Sequence, residues 1–122
     1  MKTIITRFAL CATLALITIY LTPANAQSQS EMNRGAAREF ETADATLNKV
    51  YKQLIGKLDD EGKEKFKLAQ RAWVQFRDAQ ADFEADKEAR GGSMAPLIYN
   101  GTRKTLTDAR IKELQRVLKE QK

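Results

Sequence analysis

The stretch QRAWVQFRDAQ, residues 70–80, decides how the chain is read. Trp73 and Phe76 stand three apart with Arg77 and Asp78 directly behind them, so the cluster is either an exposed ligand patch or the inward stripe of a helix. Extending the window outward favours the stripe. Phe66, Ala69, Trp73, Phe76, Gln80 and Phe83 recur at three- and four-residue steps, which places them along one side of a helix expected over Lys63 to Arg90. On this reading Trp73 and Phe76 point inward.

Upstream, Phe40, Ala43, Leu47, Val50/Tyr51, Leu54 and Leu58 repeat the same spacing and predict a helix from about Ala36 to Leu58. Gln27 to Gly35 is polar and is expected to fray, although helix could begin near Glu31. Asp59-Asp60-Glu61-Gly62 interrupts the pattern, and these acids suit a turn, an N-cap and the positive first turn of the next helix. Downstream, Gly91-Gly92-Ser93 is expected to stop the second helix, since glycine accepts the left-handed C-cap conformation. Met94 to Tyr99 reads as a short helix begun by Ser93 and ended by Asn100-Gly101. Thr105 or Thr107 then caps a last helix whose inward face is Ile111, Leu114 and Val117/Leu118. No strand pattern occurs. The expected fold is a small all-α helical bundle: two long antiparallel helices, a short helix and a C-terminal helix packed across the long pair.

The N-terminus reads as an export signal. Lys2 and Arg7 precede an apolar run from Phe8 to Leu21, and Pro23-Ala24-Asn25-Ala26 supplies the break and the small residues of a cleavage site. The run is about 14 residues, short of the ~20 that span a hydrocarbon core, so no stable membrane insertion is expected after cleavage. Cys11 lies inside the run without a small residue before it, which argues against a lipid anchor. Residues 1–26 are thus the expected signal peptide and 27–122 a single small domain, periplasmic or secreted.

Composition then removes whole classes of function. Loss of Lys2 and Arg7 lowers the formal charge from +5 to +3, and no basic run is long enough for a nucleic-acid patch. Beyond Cys11 the chain has no cysteine, and it has no histidine anywhere. Disulfides, thiolate metal sites, triad histidines and imidazole proton shuttles are therefore outside its chemistry. No cofactor or metal is expected, no nucleophile–base pair is evident, and the chain reads as a non-enzyme and a monomer.

Two charged features bear on function. Asp78, Asp82 and Asp86 repel one another at four-residue spacing. Arg90 can pair with Asp86, while Asp78 and Asp82 need a cation from another helix, with Arg103, Lys104 and Arg110 the candidates and Arg110 the expected partner of Asp78. A calcium site is disfavoured because ligands along a rigid helix cannot wrap a cation. Arg77 should lay its stem over the core edge and hold its guanidinium ready for a carboxylate, a helix end or a partner protein. Tyr51 and Tyr99 read as amphipathic rings at the edge of the core.

Four ordered motifs carry a family resemblance: Asp44, Leu47, Asn48 and Tyr51 as D-x-x-L-N-x-x-Y; Gln70 to Asp78 as Q-R-x-W-x-x-F-R-D; Gly91 to Ser93; and Leu106, Thr107 and Arg110 as L-T-x-x-R. With these the chain resembles the LprI-type lysozyme-inhibitor domain across nearly all of residues 27–122. The resemblance implies an exported helical domain and, for some members, inhibition of lysozyme. It also implies a difference, because the family commonly has cysteines where this chain has Gly35, Ala81 and Thr102. The disulfide tying the second helix to the segment before the last is absent, a loss of typically 2 to 5 kcal/mol, about what packing must supply instead.

Two functions fit. One is an inhibitor that binds lysozyme and blocks the cleft where two carboxylates act. Animal lysozymes are mostly basic, so a basic inhibitor must rely on local complementarity. The other is an envelope module binding another periplasmic protein or a cell-wall fragment. The candidate contact residues are Arg77, Arg90, Gly91, Gly92, Ser93 and Tyr99, with the glycine loop able to enter a cleft that excludes a helix.

Overall fold

A computed structural model describes residues 24–121, with side chains from Ser28 onward. The expected signal peptide falls almost wholly outside these residues. Three helices follow in order: α1 Ala24–Ile55, α2 Asp60–Ala89 and α3 Ala95–Glu120. No strand occurs among the described residues, so the all-α reading holds. No described helix is long and apolar enough to cross a membrane.

α1 buries the expected stripe. Phe40, Ala43, Leu47, Val50 and Leu54 are all enclosed. The helix also takes in the polar segment expected to fray. Gln29 donates to Asn33 one turn later, and Asn33 donates to the backbone carbonyl of Ser93, so a tertiary anchor fixes residues whose own propensity is weak. The break before α2 is as read: Asp59 is the N-cap, its carboxylate accepting the Gly62 N–H at 2.8 Å, with Asp60 and Glu61 in the first turn.

The end of α2 is built differently from the expectation. Arg90, not a glycine, is the first residue in the left-handed region, at φ 38° and ψ 53°, and Gly91 follows at φ 76°. Gly92 is required for closeness instead. A Cβ there would sit 2.9 Å from the Ala89 carbonyl oxygen, to which Gly92 donates. Ser93 caps nothing; the N-cap of α3 is Met94, and Pro96 sits in the first turn as expected.

The short helix ending at Asn100-Gly101 does not exist, because α3 runs through both residues. Asn100 donates its side-chain amide to the Pro96 carbonyl, and Thr105 its hydroxyl to that of Gly101, so both polar side chains bond back along the helix rather than capping or turning it. Thr107 is likewise interior and fully buried.

α3 packs along both α1 and α2, whereas α1 and α2 barely approach each other through their backbones. The C-terminal helix is therefore the common partner of the other two rather than a cover laid over a long pair. Leu47, Val50 and Leu54 of α1 meet Ile111 and Leu114 of α3 in the apolar core, with Leu58, Phe66, Trp73, Val117 and Leu118 packed around it. Long side chains bridge α1 to α2: Tyr51 stacks on Phe66 with ring centroids 5.2 Å apart.

The inward face of α2 is the main correction. Gln70, Arg77, Ala81 and Ala85 are its buried residues, Trp73 is half-buried, and Phe76 and Phe83 are 53% and 59% exposed. Of the expected aromatic stripe, Phe66 and Trp73 pack against the core while Phe76 and Phe83 face out, because the enclosed positions are occupied by Gln, Arg and Ala, whose burial depends on internal partners and small size rather than hydrophobicity.

Candidate functional site

Arg77 lies at the centre of the polar interior, only 4% exposed. Its Nη1 donates to Asp44 Oδ1 of α1 at 2.8 Å, and its Nε donates to Asp78 Oδ1 at 2.9 Å. The same Nη1 reaches the Thr107 hydroxyl of α3 at 3.5 Å, so one guanidinium touches all three helices. Burial alone would lower its pKa, but the hydrogen bonds and charges of Asp78 and Asp44 together outweigh that and raise it above the ordinary arginine range. The side chain is a nearly enclosed cation fixed between the three helices, a structural tie among them.

Two further arginines extend the arrangement into a ladder of alternating cations and rings. Arg103 lies 3.6 Å from the Phe40 centroid and 4.9 Å from that of Tyr99. Arg77 lies between Phe40 and Trp73, at 5.0 and 5.4 Å, and Arg110 closes the series 5.6 Å from Trp73. Each such contact is worth roughly 0.5 to 2 kcal/mol depending on desolvation. Arg103 also donates to Asp78 Oδ1 at 3.1 Å.

The pairing of Asp78 thus falls to Arg103 and Arg77, not to Arg110. Arg110 donates to Gln70 Oε1 at 3.2 Å and to Glu113 at 2.8 Å, so its charge, past the middle of α3 rather than near a helix start, is answered by Gln70 of α2 and from within α3. Asp82 and Asp86 make no ion pair among the described residues, and the link from Arg90 to Asp86 is backbone to backbone. No buried side-chain nitrogen or oxygen among the described residues lacks a partner.

Six polar residues of the motifs meet here around Trp73. Asp44, Gln70, Trp73, Arg77, Asp78, Thr107 and Arg110 form one connected network, while Leu47 lies in the apolar core and Tyr51 at its edge. Gln70 and Thr107 were missed as interior groups; their regular spacing from Arg77 and Arg110 was the available signal. With its buried polar atoms all partnered, the network locks the three helices together.

The remaining candidates gather at the α2–α3 turn. Arg90, Gly91, Gly92 and Ser93 are all exposed, as is Met94 at 49%. Asn33 holds this turn from beneath through the Ser93 carbonyl at 2.9 Å. Tyr99 stands apart from it, half-buried under Arg103.

Residues 22–114 match the family described as lysozyme inhibitor LprI. An uncharacterized protein of Rhizobium meliloti (strain 1021) is 34% identical over 128 residues, covering 86% of this chain and 91% of the relative. No solved structure matches the chain.

Proposed function

The chain belongs to the lysozyme inhibitor LprI family, and from that premise we propose that it is an exported, non-catalytic protein that inhibits a lysozyme by binding it, with the Arg90–Ser93 turn as the contact. The observation behind the choice of surface is the turn itself. Its four residues are exposed, two of them lack side chains, and its position is fixed by Asn33. A narrow, anchored turn can enter a cleft without a large ordering cost. Arg90 brings a cation for a cleft carboxylate, and Ser93 a neutral hydroxyl. Arg77 and Tyr99 act behind this surface by holding α2 and α3 in place.

The test is hydrolysis of cell walls by lysozyme with and without the purified protein. Inhibition is expected, and the Arg90→Ala/Ser93→Ala variant should keep its helicity while inhibiting at least tenfold more weakly, a loss of ~1.4 kcal/mol. No inhibition by the well-folded protein would overturn the function. Undiminished inhibition by the double variant would overturn the surface.

A further inference from the structure

The face of α2 opposite its buried residues is apolar and uncovered. Leu68, Phe76 and Phe83 are 65%, 53% and 59% exposed, and Ala72 and Ala79 between them are exposed as well. Charged residues continue the same face at both ends: Glu61 and Lys65 before it, Asp86 and Arg90 after it, all exposed. The eight positions from 61 to 86 advance by three or four residues at each of seven steps, about 3.6 per step, so the stripe runs straight along the helix instead of winding round it, and Arg90 follows at the left-handed C-cap.

Read backwards, the stripe is complementary to itself. Two copies of α2 laid antiparallel, with position i of one opposite position 151 − i of the other, set Lys65 against Asp86 and Glu61 against Arg90. The same register sets Leu68 against Phe83 and Ala72 against Ala79, with Phe76 meeting its own copy near the axis. Large residues face large ones at three levels, and the alanines between them allow the helices to approach so that each Phe76 packs among the other chain's alanines. Both charge pairs occur twice by symmetry, and all four join opposite signs. A parallel pairing would instead set every charge against its like.

From this we infer that the protein forms a two-fold symmetric homodimer through antiparallel packing of α2 on α2, in place of the monomer expected from the sequence. The occupant of the apolar face is a second copy because the charges flanking that face fit the same face reversed. An isologous contact of this kind closes on itself and leaves no apolar edge for further growth. It also leaves the Arg90–Ser93 turns at opposite ends of the paired helices, apart from each other. Dimerisation does not rest on the lysozyme reading, although the two share Arg90, which in the dimer faces Glu61 of the other copy.

Sedimentation equilibrium of the purified protein tests this. The wild type should show a concentration-dependent monomer–dimer equilibrium. Phe76→Glu, at an exposed position, should keep the helicity and melting temperature while weakening the dimer at least tenfold. Lys65→Glu should also weaken it, by facing Asp86 with a like charge at both ends, and adding Asp86→Lys should restore it. A wild type that stays monomeric into the millimolar range overturns the proposal, as does a dimer indifferent to Phe76→Glu. A charge-swapped double variant no tighter than Lys65→Glu alone overturns the antiparallel register.

Discussion

Arg77 of α2 and Asp44 of α1 meet at 2.8 Å across helices whose backbones scarcely touch, and that ion pair is a principal tie between them. The enclosed end of the pair is the cation, at 4% exposure against 35% for the aspartate side chain, so the energetics of the contact depend mainly on how well the guanidinium is satisfied. Asp78, Thr107 and the rings of Phe40 and Trp73 complete its surroundings.

Arg77→Ala should therefore destabilise the fold by about 3 to 5 kcal/mol, since it opens a cavity and strips the partners of their common donor. Arg77→Lys should recover little of this, because one ammonium cannot reproduce two directed donors and the stacking of a planar group. Urea unfolding followed by helicity checks both. A melting transition unchanged by Arg77→Ala would contradict the tie.

Trp73 is the chain's only tryptophan and stands half-buried between Arg77 and Arg110. Full burial would put Trp73→Ala at about 3 to 5 kcal/mol, and partial burial lowers the expectation to roughly 2 to 3 kcal/mol. Trp73→Phe should retain most of the stability by keeping a ring between the two cations. The native fluorescence should be quenched by acrylamide at a rate between those of an exposed and an enclosed indole.

What was legible in the sequence follows from which force shapes each segment. The α1 stripe and the Ile111-Leu114 face are ordinary hydrophobic burial, and their periodicity gave them directly. Asp59 was legible because its cap is a local bond. The inward face of α2 was not, since Gln70 and Arg77 are buried by partners that lie 40 and 33 residues away in the chain. Asn100-Gly101 misled for the same reason: a strong local turn signal yielded to the packing of α3 along two neighbours. In the candidate site, the exposed turn from Arg90 to Ser93 was legible from its glycines, whereas the assignment of Arg77 needed the fold.

Gly101 offers a direct contrast between those two forces. In a turn requiring a left-handed glycine, Gly101→Ala would be destabilising. Inside continuous α3, with no atom within 4 Å of an added Cβ, the substitution removes only backbone freedom of the unfolded chain and improves helix propensity. The expected outcome is a gain of about 0.5 to 1 kcal/mol, read as a higher melting temperature. Gly92→Ala should move the other way, because its Cβ would meet the Ala89 carbonyl oxygen at 2.9 Å.

Asn33 connects the stability of the N-terminal part of α1 to the turn proposed as the lysozyme contact. Its amide donates to the Ser93 carbonyl at 2.9 Å, sixty positions along the chain, in an exposed setting where one hydrogen bond contributes only about 0.5 to 1.5 kcal/mol. Asn33→Ala should accordingly leave the global melting transition nearly unchanged. Its effect should appear locally, as faster amide hydrogen exchange in residues 91–94 and in the first turns of α1, which lose their shared anchor. If the turn enters the lysozyme cleft, loosening it adds an ordering cost to binding, and inhibition should weaken several-fold without any change to Arg90 or Ser93. Faster exchange with undiminished inhibition would place the contact on a surface away from the turn.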